Sequence, residues 1–321
     1  MSAGRQLARA RWPCVVALLS LHAAIPAFAY TPLAFLANPG SGREVGWLSW
    51  QEIRDGRPIR FAVNDAGTSD IDLAPDDPAI DEFEAIELAF RTWERIPGVP
   101  IHFDLHRTDR RTFGFDGENV IFLADLGPVD YGALTLVTYD NTTGQILDTD
   151  IHLNDHAIRW VTSPNAADGE PLPCPCQGSD PEATSLNDVQ GIATHEIGHA
   201  LGLDHSAVGV RETPRTPTMY PRGVFFVPGD GERPPNSRYR TLEPDDVIGI
   251  QNLYPPARRA AETAAVQGVV HNRNDRPLFG AHVVAHSVTT GVEVGAMSGV
   301  VAGPLPPDPD RRRSQISRWT R

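Results

Sequence analysis

Apolar residues recur at helical spacing in three parts of the chain. Between residues 80 and 93 they recur at steps of three and four, which places them on one face of a helix. A second helix is predicted over 186–203, with Ser185 or Asn187 as its N-cap, and a third begins near Pro244. The sequence therefore predicts three helices, each separated from the next by a long stretch of chain.

Short runs rich in β-branched and aromatic residues predict strands in the chain between the helices. The runs cover residues 58–64, 101–105, 120–123, 134–139 and 146–153. A turn is predicted at Asn141-Thr142-Thr143-Gly144, because Asn and Gly favour tight connections between neighbouring strands. The last two runs should therefore pair as a hairpin.

The N-terminal residues have the pattern of an export signal. Residues 1–29 combine early arginines with an apolar run and end in Ala27-Phe28-Ala29, which is typical of a signal peptide cleaved before Tyr30. The alternative is a membrane anchor, but the apolar run is short for a bilayer span. We therefore expect a secreted protein, extracellular or periplasmic, without stable membrane insertion.

The remaining chain divides at changes in composition, of which Pro255-Pro256 is the clearest. The predicted segments are a lead-in at 30–45, a central domain at 46–256, a linker at 257–264, an incomplete β-like segment at 265–299 and a disordered tail at 300–321. The β-like segment resembles the opening of a carboxypeptidase-regulatory-type sandwich, but it is too short for the seven strands of such a module.

Composition and charge exclude some partners without indicating the fold. Hydrophobic residues make up 40% of the chain and charged residues 21%, which is normal for a soluble globular protein. The formal net charge is −13. An acidic surface repels nucleic acid and anionic membranes, so neither is an expected partner.

The run His195-Glu196-Ile197-Gly198-His199 carries the strongest candidate chemistry. Positions i and i+4 of a helix lie on one face, so His195 and His199 can offer two imidazoles to one metal ion. Gly202 can adopt a positive φ at little cost, end the helix and return His205 to the same ion. Three histidines leave a fourth position open, which is the catalytic arrangement of zinc.

Glu196 lies beside the first ligand, where it can reach a water molecule on the metal. It would act as general base when that water attacks a peptide carbonyl, and would then pass the proton to the leaving amine. The alternative is a solvated helix face with two unrelated histidines, because the short motif also occurs by chance. The fixed offsets of Gly202 and His205 argue against that alternative.

These residues resemble the matrixins, a family within the metzincin metallopeptidases. Ser206 after the third histidine, the segment Thr218-Met219-Tyr220-Pro221 and the run from Leu242 to Tyr254 are each similar to the matrixin pattern. The resemblance covers about residues 46–256. It implies an α+β fold with a twisted five-stranded mixed sheet, three helices and a cleft across the molecule.

The resemblance also implies roles for further residues. Met219 would form an apolar base beneath the ligands, and Asp245 and Asp246 would support the site. A protein or peptide substrate would bind in extended form along an edge strand at Leu134. The implied function is that of a monomeric zinc endopeptidase with one catalytic zinc.

Two other functions are alternatives for the same motif. The first is a zinc-containing peptide-binding or adhesion module that does not cleave, but Glu196 argues against it, since binding alone needs no such carboxylate. The second is a metallopeptidase with glutamate as the third ligand, which Gly202 and His205 oppose.

Several positions depart from the family pattern. His152 resembles one ligand of the matrixin structural zinc, but its partner histidines are missing, so we expect a strand residue rather than a weak metal ligand. Gly223 stands where a tyrosine is common, so the family's substrate preference cannot be transferred. Neither a pro-domain of the usual length nor the latency motif precedes the catalytic segment, which is typical of a bacterial-type form.

Calcium and disulfide formation are further expectations that the sequence leaves open. Oxygen ligands for a possible calcium ion come from Asp148, Asp150, Asn154, Asp155 and the loop 70–77, although no spacing defines a calcium loop. Cys174 and Cys176 would form a local disulfide in an exported protein, with a thiol that blocks the zinc as the alternative.

Overall fold

The computed structural model describes most of the central domain and parts of the C-terminal region. The described residues are 32–37, 44–71, 80–125, 127–128, 131–156, 158–162, 186–206, 217–221, 237–256, 270–276, 278, 281–289, 293–297 and 312–320. Predictions that concern the signal peptide, residues 72–77, Cys174, Cys176, Gly223 and the linker 257–264 lie outside them. Within the described ranges, no helix is long and apolar enough to cross a membrane.

A mixed β-sheet forms one layer of the central domain. Two short antiparallel strands precede it, β1 (Ala34–Ala37) and β2 (Glu44–Trp47). The sheet itself contains β3 (Ile59–Asn64), β4 (Phe103–Thr108), β5 (Val120–Ala124), β6 (Tyr131–Asp140) and β7 (Ile146–Asn154). The order is β6-β7-β5-β3-β4, with β6 antiparallel and the others parallel. The predicted five-stranded mixed sheet is confirmed.

Helices pack on the sheet and form the second layer. They are α1 (Gln51–Asp55), α2 (Glu82–Glu94), α3 (Val189–Ala200) and α4 (Pro244–Leu253), with a short 3-10 helix at Ser237–Arg240 and a parallel pair of strands, β8 (Arg159–Val161) and β9 (Leu186–Asp188). The three predicted helices are confirmed as α2, α3 and α4. The short α1 was missed, because a helix with one buried residue, Ile53, has no visible periodicity.

The core between these layers fixes the position of α3. Every residue of α3 is buried, so it lies between other elements rather than on the surface. Trp93 of α2 donates its indole N–H to the carbonyl of Thr194 at 2.8 Å, and Trp50 donates to the carbonyl of Ala200 at 2.8 Å. These two bonds hold the helix near its middle and at its C-terminal end.

The segment before β3 takes part in this packing. The amide of Leu33 donates to the carbonyl of Gly202 at 2.8 Å, and Leu48 donates to Leu33 at 2.8 Å. The Tyr254 hydroxyl, which follows α4, donates to the carbonyl of Leu201 at 2.7 Å. Residues on both sides of the predicted boundary at 46 therefore contact the chain that leaves α3.

Three more strands lie in the described parts of the C-terminal region. β10 (His282–His286) and β11 (Glu293–Met297) form an antiparallel hairpin inside the predicted β-like segment, whose domain assignment stays a prediction. β12 (Arg312–Thr320) pairs antiparallel with the outer edge of β6, where the sequence predicted a disordered tail. The physical reason is that an open edge strand presents unpaired N–H and C=O groups, which an extended segment can satisfy.

Candidate metal centre

Three histidines meet at the C-terminal end of α3. His195 and His199 come from its last two turns, and His205 follows the turn beyond it. The ligand atoms of the three side chains lie within 4.8 Å of one another, and the two helical Nε2 atoms are 3.2 Å apart. In the part of the chain that the structure describes, this is the only group of three or more His, Cys, Asp or Glu side chains placed to share an ion.

The turn that returns His205 depends on Gly202. Its φ is +102°, a conformation that residues with a Cβ rarely adopt. The amide of Leu203 bonds the carbonyl of Gly198 at 3.0 Å, which closes the helix end. A Cβ at position 202 would lie 2.5 Å from the carbonyl oxygen of Leu48. Both the backbone conformation and the neighbouring chain therefore require glycine here.

Hydrogen bonds orient two of the imidazoles. The Nδ1 atom of His195 lies 2.5 Å from the carbonyl of Thr218, and that of His199 lies 2.7 Å from the carbonyl of Leu203. A carbonyl oxygen can only accept, so both Nδ1 atoms carry hydrogen and each Nε2 presents a lone pair to the centre. This is the tautomer that ligates a metal through Nε2.

The charge state of the histidines suits a metal as well. Burial lowers the pKa of His195 to about 3 and that of His205 to about 4, because a cation is disfavoured away from water, and His199 shifts in the same direction. The buried Nε2 of His205 has no hydrogen-bond partner among the described residues. Neutral imidazoles with converging, unsatisfied nitrogen atoms fit zinc.

Glu196 is fully buried beside the three histidines. Its Oε2 accepts a hydrogen bond from the hydroxyl of Thr135 at 2.5 Å, whereas its Oε1 has no partner in the described chain. Burial raises the pKa of Glu196 to about 8, and the bond from Thr135 opposes part of this shift. The carboxyl group is therefore placed to exchange a proton with a group bound at the centre.

Met219 lies beneath the helix that carries the ligands and is fully buried. Its sulfur occupies the space that a Cβ at Gly198 would need, and Trp93 closes the same space from α2. The glycine inside the histidine motif is therefore a packing requirement for the methionine. Sequence reasoning missed this role of Gly198, although a glycine inside a helix is a signal for close approach.

Two carboxylates at the start of α4 hold the segments around the ligands. Asp246 accepts bonds from the amides of Thr218 at 2.9 Å and Met219 at 3.0 Å, and burial raises its pKa to about 7. Asp245 accepts from the hydroxyl of Ser206 at 2.5 Å. The structure thus places both aspartates where the sequence expected supporting groups.

The N-terminus of α3 is anchored by an ion pair that the sequence did not reveal. The N-cap is Asp188, which accepts from the amide of Gly191 at 3.3 Å, so the expected caps Ser185 and Asn187 were wrong. Arg240 binds both carboxylate oxygens of Asp188 at 2.6 and 2.7 Å, and both side chains are buried. No pattern of spacing links two residues so far apart in sequence.

His152 lies in β7, away from the three histidines of the centre. Its Nε2 is 2.9 Å from the carbonyl of Ala124, and its ring stacks on Phe122 with 5.0 Å between ring centroids. No other potential ligand joins it in a group of three within the described residues. The structure places His152 as a strand residue, as expected.

The carboxylates proposed for calcium are engaged with backbone amides. Asp150 accepts from Gly114 at 2.7 Å and Asp148 accepts from Gly117 at 2.7 Å, which ties the β4–β5 loop to β7. Asp155 accepts from the hydroxyl of Thr68 at 2.8 Å. The described residues form no carboxylate cluster for an ion, so calcium is not supported.

Comparison with known proteins gives a family match over the central domain. A matrixin family model matches residues 68–255, more than half of the chain. Metalloendoproteinase 4-MMP of Arabidopsis thaliana is 38% identical over 76 residues, 23% of this chain and 18% of that protein. Matrix metalloproteinase-9 of Canis lupus familiaris is 48% identical over 65 residues, 20% and 7% of the two chains.

A third relative gives a similar partial match. Metalloendoproteinase 1 of Glycine max is 39% identical over 71 residues, 22% of this chain and 18% of that protein. The matched region spans less than a fifth of each of the three relatives. A solved structure, the GM1-bound form of the ECX AB5 holotoxin, covers 71% of this chain and 88% of that chain at 12% identity, and its TM-score of 0.36 is too low to carry an argument.

Proposed function

This chain belongs to the matrixin family, and on that premise we propose that it is a zinc-dependent endopeptidase. The observation that carries the proposal is the convergence of nitrogen atoms from three imidazoles next to the buried Glu196. Each of the two helical imidazoles is fixed by a carbonyl at Nδ1, so its Nε2 is available to an ion.

His195, His199 and His205 would hold the zinc, and their three nitrogen donors leave a coordination position open. Zinc, when bound, supplies Lewis-acid activation of a water molecule and of the scissile carbonyl. Glu196 accepts the proton of the attacking water at Oε1, the oxygen without a protein partner, and delivers it to the leaving amide nitrogen. No covalent bond to the protein is needed in this reaction.

The substrate would be a protein or peptide bound in extended form along β6. The edge of this strand lies close to Glu196, because Thr135 of β6 contacts the glutamate carboxyl group. β12 pairs antiparallel with the same edge, with Ser317 opposite Thr135. An extended substrate would form the same type of backbone ladder and would therefore take the place of β12.

Export of this peptidase is a separate part of the proposal. It rests on the signal-peptide pattern of residues 1–29, whose removal would release a protein with an N-terminus at Tyr30. N-terminal sequencing of the protein recovered from the culture medium or periplasm of an expressing cell tests this part. An N-terminus at residue 1 in a membrane fraction would contradict it.

The catalytic proposal is tested by comparing the purified full chain with a Glu196→Gln variant on denatured protein substrates. The variant keeps the size of the side chain but removes the base, so we expect cleavage to fall by about 10²–10⁴-fold. Zinc analysis should give about one ion per chain in both proteins. Undiminished cleavage by the variant would overturn the role of Glu196, and zinc binding without any cleavage by the unaltered protein would favour a peptide-binding module.

A further inference from the structure

We propose that Thr135 positions the general base, by donating a hydrogen bond to Oε2 of Glu196 so that Oε1 stays free to take the proton. The inference rests on the proposed peptidase function. Thr135 lies at a central position of β6, on the strand that would bind the substrate, and it is fully buried. Its hydroxyl acts on Glu196 and not on the reacting atoms, so its role is positioning rather than catalysis.

The geometry favours the carboxylate as the acceptor. The Thr135 hydroxyl lies 2.5 Å from Oε2 of Glu196 and 3.2 Å from the backbone carbonyl of the same residue. That carbonyl lies inside α3, where a helix amide four residues later supplies its hydrogen bond. The single hydroxyl proton is therefore directed to the carboxylate.

The backbone and side chain of Thr135 are held in place, so its hydroxyl can fix the orientation of the Glu196 carboxyl group. Its backbone pairs with Ile151 of β7, on the side of β6 that faces away from the proposed substrate. A β-branched side chain has few accessible χ1 rotamers, so the strand presents the hydroxyl in a fixed direction. Glu196, in contrast, has a flexible side chain whose second oxygen has no described partner. The hydroxyl selects one orientation of that carboxyl group.

A purely structural role for Thr135 makes a different prediction. If the hydroxyl only satisfies a buried carboxyl group, its removal lowers stability and leaves turnover unchanged. If it positions the base, its removal lowers kcat, because the base meets the attacking water in the wrong orientation more often. The two roles are therefore separated by the division of the effect between kcat and KM.

The experiment compares three variants of the full chain in a peptide-cleavage assay. Thr135→Val keeps the shape and removes the donor, and Thr135→Ser keeps the donor. Thr149→Val is the matched control, because Thr149 is a buried threonine of the neighbouring strand β7, with its hydroxyl 3.5 Å from Oδ1 of Asn119. Zinc content is measured in each protein.

We expect Thr135→Val to lose about 10–100-fold in kcat, as is typical when a group supporting a catalytic residue is removed. KM and zinc content should stay within about twofold, since no ligand or backbone contact to substrate changes. Thr135→Ser should recover most of the loss, and Thr149→Val should match the unaltered protein. Unchanged kcat in Thr135→Val, or a serine variant as slow as the valine variant, would overturn the inference.

A second measurement does not depend on activity. In the metal-free protein, Thr135→Val should lower the Tm, and the shift should largely vanish when Glu196 is replaced by Leu, because leucine has no carboxyl group for Thr135 to bond. Equal shifts in both backgrounds would contradict the contact.

The outcomes also separate the two proposals of this article. If the unaltered protein cleaves peptides and Thr135→Val has the same kcat, only the role of Thr135 is contradicted. A protein that binds zinc and cleaves nothing contradicts the peptidase function and, with it, the role of Thr135 in orienting a base.

Discussion

Two sets of potential metal ligands among the described residues differ in whether their side chains converge. At the end of α3, ligand atoms of three histidines lie within 4.8 Å of one another, while two of the Nδ1 atoms are bonded to carbonyls. In β7, the side chains of Asp148, Asp150 and His152 are also buried, and we name these three residues the β7 cluster. Each member of the β7 cluster is bonded to a different backbone group.

The difference comes from the geometry of the two elements. Residues at i and i+4 of a helix lie one turn apart on one face, and a glycine turn can add a third side chain to them. Residues at i and i+2 of a strand lie on one face, but they are separated by almost 7 Å along the strand. The β7 side chains therefore point in parallel, so that the two aspartates bind neighbouring amides and His152 binds a carbonyl. Residue type and burial do not define a metal site, whereas convergence of unsatisfied atoms does.

The largest expected effect is the difference in zinc binding between two histidine variants, one from the set at the end of α3 and one from the β7 cluster. His199→Ala should lose stoichiometric zinc and all detectable cleavage, because two remaining imidazoles hold zinc poorly. His152→Ala should keep about one zinc per chain and lose only stability, by about 1–3 kcal/mol, because its buried hydrogen bond and packing disappear. Metal analysis and unfolding curves measure both effects. Loss of zinc in His152→Ala would abolish the distinction between the two sets.

A smaller effect is expected from the turn that makes the helical set converge. Gly202→Ala places a Cβ against the carbonyl of Leu48 at a positive φ, so the turn must shift and His205 with it. We expect zinc affinity to fall at least about tenfold, together with a lower Tm.

Gly56→Ala is the matched control, since Gly56 also has a positive φ but no atom within 4 Å of its added Cβ. The control should lose about 1 kcal/mol of stability and no zinc. Equal zinc binding by both variants would show that the turn does not place His205.

The smallest effect concerns the pH dependence of stability in the β7 cluster. Burial, together with the carboxylates of Asp148 and Asp116, raises the pKa of Asp150 to about 8 from a usual value of 3.8. Between about pH 4 and pH 8 the native state therefore holds the proton of Asp150, which the unfolded state releases, so the contribution of Asp150 to stability is lost as pH rises through that range. Asp150→Asn should be less stable than the unaltered protein at acidic pH, and the difference in Tm between the two proteins should narrow toward pH 8.

The two proteins must be compared with each other, because other buried groups also titrate in this range. The pKa values of Asp148, Asp246 and Glu196 are raised to about 6, about 7 and about 8, whereas those of His195 and His205 are lowered to about 3 and about 4. Thermal unfolding of the metal-free protein at a series of pH values from 4 to 8 measures the slopes. Parallel curves for the variant and the unaltered protein would mean that Asp150 is not held in its protonated form in the native state.

Elements with a repeated pattern were predictable from the sequence. The apolar face of α2 repeats every three to four residues, and its buried positions Ala85, Ile86, Ala89, Phe90 and Trp93 follow that repeat. The five strands of the sheet were found from their β-branched and aromatic runs. The pair β8 and β9 was missed, because three-residue strands carry no period. Residues 312–320 were expected to be disordered, because pairing depends on the exposed edge of β6 and not on their own pattern.

The sequence by itself determined the three histidines, the glutamate and the turn at Gly202, because they lie within eleven residues and helix geometry fixes their mutual positions. Only the tertiary structure decided which other residues join them. Thr135 reaches Glu196 from a strand, Asp246 reaches Met219 from another helix, and Arg240 reaches Asp188 across the fold. Such contacts depend on how the layers pack, since the residues of each pair are separated by 27 to 61 positions and no local spacing connects them.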